Sequence, residues 1–203
     1  MGIAAKRGRT GAKHTGSSRV LTAAYGLFTR RGVRLVGVDE IVAAAAVAKA
    51  TLYRNFASRD DLVVAFLKQR GHMWTDGWLK AETMRRKRDP KQRLMVIFDV
   101  LDEWIQKDDF EGCPFIGAVA HAPEPKDSIR REAIAQLHHV HDFVRELAVD
   151  AELSQPSSFA SSWQLMMEGS IVAGLTGDRH AAQHGRRVAA AFLQSYPARV
   201  HRR

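Results

Sequence analysis

Val38 to Phe56 reads VDEIVAAAAVAKATLYRNF, and the fold turns on this stretch. Val38, Ile41, Val42 and Ala45 recur three and four residues apart, the spacing that lines one face of a short helix. Ala46 to Ala48 breaks the period. A second short helix, Lys49 to Asn55, then turns Leu52 and Phe56 inward and leaves Thr51, Tyr53, Arg54 and Asn55 outside. Two short helices about a tight turn, the second with a polar and cationic outer face, make a helix-turn-helix from Gly37 to Phe56. Such a face fits the major groove of DNA. Arginine pairs there with guanine and asparagine with adenine, so Arg54 and Asn55, with Thr51, are the candidate base readers.

Charge supports this reading by its location. Residues 1–60 hold 11 Lys and Arg against 3 Asp and Glu, whereas the remaining 143 hold 20 against 19. Nearly all of the formal +9 therefore lies at one end. A basic head on a near-neutral body points to a polyanion bound by the head. Residues 1–17, with Lys6, Arg7, Arg9 and Lys13 among Gly, Ala and Ser, read as a flexible basic arm.

The rest reads as helices. Ser18 is the expected cap of a first helix with Val20, Ala24, Leu27 and Phe28 on one face, and Gly32 its stop. Ser58 precedes Arg59-Asp60-Asp61, a cap followed by acids that suit a helix N-terminus. That helix is expected to run unbroken to about Arg85, a length of roughly 40 Å, with Gly71 and Gly77 weakening it locally. Asp89-Pro90 and Asp127 open two more, and two last helices cover about 158–175 and 179–196. Strand signals are absent, so the chain is expected to be all-α with about nine helices. Residues 18–62 form the helix-turn-helix domain and 63–203 a second helical domain. With no apolar run of membrane-spanning length, no signal-peptide core and one cysteine, the expectation is a cytoplasmic protein.

The run from Val38 to Leu67, VDEIVAAAAVAKATLYRNFASRDDLVVAFL, resembles the N-terminal signature of the tetracycline-repressor (TetR) family of bacterial regulators. Val47, Lys49, Thr51, Leu52, Tyr53, Phe56, Arg59 and Asp60 match its pattern position by position. Three positions depart from it. Ala46 stands where Gly is usual, at about 1 kcal/mol for a left-handed residue with a side chain. Gly37 replaces the usual Ser or Thr cap, and Arg59 the usual Lys. Gly112-Cys113-Pro114-Phe115 resembles a segment of one subgroup. The resemblance implies that Lys49, Tyr53 and Arg59 touch phosphates. It also implies a homodimer whose C-terminal domain takes a small molecule that releases a palindromic operator.

For that ligand, large aromatic and Met side chains suit an apolar or planar molecule. The candidates are Trp74, Trp78, Trp104, Phe115, Trp163, Met166 and Met167. For the dimer, Gly169, Ser170, Ala173 and Gly174 allow close helix approach, and Phe192 and Tyr196 supply apolar area. All of these would serve equally as plain core. His138, His139, His141, His180 and His184 have helical spacings compatible with a metal, but lack the acid of a zinc protease. Cys113 and His121 lack an orienting acid nearby. No enzyme, cofactor or metal is therefore expected. The alternatives are a ligand-independent architectural DNA-binding protein and, further off, an α-helical metal-dependent enzyme.

Overall fold

The computed structural model describes residues 16–121 and 124–199, so most of the basic arm lies outside the described residues. Among them every regular element is helical, and one isolated bridge joins Leu153 and Ala198. Helix α1 spans Gly16–Arg31 and buries Val20, Ala24 and Phe28. It begins before Ser18, which therefore lies inside the helix instead of capping it. Gly32 stops it at φ +79°, a conformation open to glycine.

Helices α2 (Val38–Ala45) and α3 (Lys49–Asn55) form the helix-turn-helix. Between them Ala46 takes the left-handed conformation, φ 49° and ψ 51°. The Val47 amide donates to the Val42 carbonyl at 3.1 Å and the Ala46 amide to Ala43 at 3.1 Å, which closes α2 in a Schellman turn. Arg19 of α1 steadies this turn by donating to the Ala46 carbonyl at 2.8 Å.

Helix α4 (Arg59–Gly71) is capped by Ser58, whose Oγ accepts from the Asp61 amide at 3.0 Å. It passes without a break through a π-helical stretch, His72–Lys80, into α5 (Ala81–Arg86). The sequence pattern carries no sign of the π stretch. Gly71 is less a weak point than a contact point: a Cβ there would lie 1.7 Å from Gln136 Oε1, so α4 lies close on α8. Then come α6 (Pro90–Ile105), α7 (Pro114–His121), α8 (Ser128–Asp150), α9 (Pro156–Leu175) and α10 (Ala181–Ser195). Asp89 and Asp127 cap α6 and α8, accepting from Gln92 N at 2.8 Å and from Ile129 N at 2.8 Å. Helix α9 starts at Pro156, ahead of the expected Ser158, because proline suits the first helical position. With 59–86 counted as one helix, nine are present among the described residues.

Two apolar clusters hold these helices. The first joins Phe28, Ile41, Leu52, Leu62, Phe66 and Leu67, and it draws in Phe115 and Ala118 of α7 and Ala133 of α8. It therefore continues past residue 62 along α4 and ties the helix-turn-helix to the rest of the chain. Each such large side chain, fully buried, contributes about 1.5–3 kcal/mol. The second cluster packs α6, α8, α9 and α10 about Phe98, Phe143, Phe159 and Trp163. No helix among the described residues is long and apolar enough to cross a membrane.

Candidate nucleic-acid interface and C-terminal cavity

Leu52 is fully buried, and it fixes which side of α3 faces out. Lys49, Tyr53, Arg54 and Asn55 are exposed, and Thr51 is half-buried. Asn55 Nδ2 donates to the Thr51 carbonyl at 2.7 Å, which holds the amide along the helix. Lys49 Nζ is held 2.8 Å from Asp39 Oδ1 of α2, and the hydrogen bond and charge of Asp39 push the lysine pKa up. Gly16, the first described residue, packs on this face: a Cβ there would lie 2.6 Å from Thr51 Cγ2 and 3.9 Å from Asn55 Nδ2.

Arg59 stands apart from the other five candidates. Its guanidinium turns back under the loop between α1 and α2, donating to the Val33 carbonyl and to the Val36 carbonyl at 3.1 Å. It also stands 5.9 Å over the Phe28 ring. The expectation of a phosphate contact took only charge and motif position into account. Here the charge is engaged at backbone carbonyls, and the side chain shapes the loop that leads into α2.

The aromatic candidates separate into two groups. Trp74 and Trp78, four residues apart on the π-helical stretch, meet Trp104 of α6 with ring centroids 5.1 and 6.2 Å from it. With Tyr25, Arg30, Arg70, Met73 and Glu111 they line a cavity of about 450 Å³. Trp74 Nε1 is buried and makes no hydrogen bond within the described protein. Phe115, Trp163, Met166 and Met167 do not line this cavity, which corrects their grouping with the three tryptophans. Trp163 is fully buried against Phe98 and Phe159, Met167 is buried and Met166 packs on the same cluster. Phe115 belongs to the cluster beneath α1. Periodicity marks all of these as inward-facing and cannot say toward which space.

The dimer candidates also separate. Phe192 and Tyr196 pack within the chain on Phe159, centroids 5.4 and 4.9 Å away. Ser170 is buried, and a Cβ on Gly185 of α10 would lie 2.1 Å from its Oγ, while one on Gly174 would meet Ile105 at 3.1 Å. These small residues serve close helix approach inside one chain. Ala173 is half-buried and packs on the same core, whereas Gly169 is exposed. The large apolar residues left outside on these two helices are Leu165 (70% exposed), Val172 and Leu175 on α9 and Val188 on α10. With Gly169, Leu165 and Val172 form one stripe of α9. An apolar residue off the core-facing stripe was the signal that could have identified them.

Three of the five candidate histidines find ordinary partners. His139 Nε2 lies 2.8 Å from Asp76 Oδ1, His184 Nδ1 3.3 Å from Asp178 Oδ2, and His141 Nε2 3.3 Å from the Ser157 carbonyl. No three His, Cys, Asp or Glu among the described residues gather to hold a metal. Burial pushes the Cys113 thiol up to about 11, so it is protonated at neutral pH.

Residues 20–66 match the family model described as bacterial regulatory proteins, tetR family. SCO4454, a TetR-family transcriptional regulator from Streptomyces coelicolor, superposes with a TM-score of 0.80 at 25% identity, over 89% of this chain and 95% of that one. The HTH-type transcriptional regulator YjdC of Escherichia coli is 27% identical over 96 residues, 47% of this chain. The HTH-type transcriptional activator FasR of Mycolicibacterium smegmatis is 32% identical over 90 residues, 44% of this chain. The match spans about half of YjdC (50%) and 40% of FasR. A matched helix-turn-helix and a shared fold along nearly the whole chain lead to one conclusion: the chain belongs to the TetR family of bacterial transcriptional regulators.

Proposed function

We propose that the protein is a homodimeric repressor that binds a palindromic operator through α3 and is released by a small molecule in the tryptophan cavity. The observation that carries the DNA half is the outer face of α3, where Arg54 and Asn55 stand exposed over a fully buried Leu52. Arg54, Asn55 and Thr51 read bases, while Lys49 and Tyr53 reach phosphates. Arg59 acts by holding the loop before α2. The basic arm, residues 1–17, follows the backbone or enters the minor groove. Operator binding measured by fluorescence anisotropy tests this. Arg54→Ala is expected to cost about 1–3 kcal/mol on the operator and to leave non-specific binding nearly unchanged. Equal losses on both DNAs would remove Arg54 from base reading.

The ligand is an apolar or planar molecule that stacks on the tryptophan rings. Its site includes Tyr25 and Arg30 of α1 and Arg70 just before the π-helical stretch. A molecule that prefers one setting of these helices shifts the population toward it, and with it the spacing of the two α3 helices in a dimer. The coupling is reciprocal, so operator DNA weakens ligand binding by the same factor. Dimerisation uses the α9 stripe of Leu165, Gly169 and Val172 with Val188 of α10. A DNA-binding unit at 18–62, a sensing and dimerising unit beyond it, a cytoplasmic location and no catalytic role complete the reading.

A further inference from the structure

A second cavity, of about 630 Å³, opens where the end of α1 and the loop after it meet α7 and the end of α9. None of the three tryptophans lines it, and it adjoins their cavity only at Thr29, Arg30, Arg70 and Glu111. Its inner wall is apolar, from Val33, Ile116 and Ile171. Leu35 and Leu175 stand at its lining with 72% and 58% of their surface exposed in the single chain, and Val172 of the proposed dimer stripe borders it as well.

The charge around it is one-sided. Four arginines, Arg30, Arg31, Arg34 and Arg70, line it against one carboxylate, Glu111, which burial biases toward its neutral form. Arg31 is answered by Glu40. Arg34 and Arg70 meet neutral acceptors instead: the His121 carbonyl and, at 3.1 Å, the Tyr25 hydroxyl. Arg34 meets no carboxylate among the described residues, whereas Arg70 also faces Glu111, so four guanidinium charges answer two carboxylates, Glu40 and Glu111, and a net positive charge is left for another anion. A concave apolar wall bordered by arginines suits a molecule with an apolar body and a carboxylate head, which guanidinium binds through paired hydrogen bonds.

We propose that this seam cavity is a second ligand site, separate from the tryptophan cavity, for an amphipathic carboxylate of the medium-chain fatty-acid type. Its occupant touches residues 31–35, the segment that leads into α2. That segment is held from α4 by Arg59 on the Val33 and Val36 carbonyls and tied to α7 by Arg34 on His121. Occupancy therefore reaches the helix-turn-helix directly, without passing along the π-helical stretch.

Calorimetric titration of the full chain with decanoate, decanol and decylamine tests the site. Decanoate is expected to bind at least about tenfold more tightly than either neutral or cationic analogue. Gly117 lines the cavity and a Cβ there meets nothing within 4 Å, so Gly117→Leu adds its side chain from open space at the cavity wall. It is expected to weaken decanoate binding by about tenfold or more. Hydrogen exchange on the unmodified chain should slow at residues 32–36 and in α7 when decanoate is added. The proposal is overturned if decanol or decylamine matches decanoate, if folded Gly117→Leu binds it unchanged, if protection falls only on the π-helical stretch, or if decanoate fails to bind at about 1 mM.

Discussion

The Nη2 atom of Arg59 lies 3.1 Å from the carbonyl oxygen of Val36, and this bond couples the start of α4 to the loop before α2. A charged donor on a partly buried carbonyl is worth about 1.5–3 kcal/mol, and its loss leaves acceptors unmet. Arg59→Ala is expected to lower unfolding free energy in urea by about 1–3 kcal/mol. Operator affinity should fall, yet the slope of log affinity against log salt should stay as it is, because no phosphate contact is lost. A slope reduced by about one would return Arg59 to the phosphate backbone.

Ala46 carries a backbone strain that glycine would not. At φ 49° its Cβ crowds the following carbonyl, costing about 1 kcal/mol. Ala46→Gly is expected to stabilise the protein by about 0.5–1 kcal/mol, since part of that gain is offset by glycine's greater freedom when unfolded. Urea denaturation checks this, and a destabilised variant would show that the turn is not strained.

The left-handed turn at Ala46, the Ser58, Asp89 and Asp127 caps and the polar face of α3 were all legible in the sequence. Each depends on residues within four positions of one another, so local rules reach them. Arg59 was not, because its partners Val33 and Val36 lie 26 and 23 residues back. Nor was the division of the aromatic residues, since Trp74 and Trp163 carry the same helical periodicity and face different spaces. The π-helical stretch at His72–Lys80 escaped because its residues read as ordinary helix.

Asp76 lies on that stretch between His139 at 2.8 Å and Lys80 at 3.8 Å. Burial works to raise its pKa, but the hydrogen bond and charge of His139, with Lys80 and His72, outweigh this and hold it below the ordinary value of 3.8. A depressed carboxylate contributes stability that is present above its unfolded pKa and lost as pH falls through the folded one. Asp76→Asn should therefore lower the melting temperature at pH 7 and do so progressively less as pH falls through the folded pKa, below 3.8. An effect that does not shrink as pH falls would contradict the ion pair.

Trp74 Nε1 is a buried donor already without a protein partner. Trp74→Phe keeps an aromatic ring in the cavity and sacrifices no internal hydrogen bond. Stability is expected to fall by about 1–2 kcal/mol, since the smaller ring leaves part of the contact with Trp78 and Trp104 unfilled. Affinity for a planar effector stacked on the tryptophan rings should fall, because the smaller ring offers less contact area. Titration calorimetry separates the two effects, and undiminished affinity would place the effector elsewhere.

The central claim is that two copies of α3 read DNA symmetrically. Selection of bound duplexes from a random pool tests it most directly. The expected product is an inverted repeat with half-site centres about 10–10.5 base pairs apart, or a multiple, enriched by the unmodified protein and lost with Arg54→Ala. Enrichment of an asymmetric site, or of no sequence at all, would contradict it.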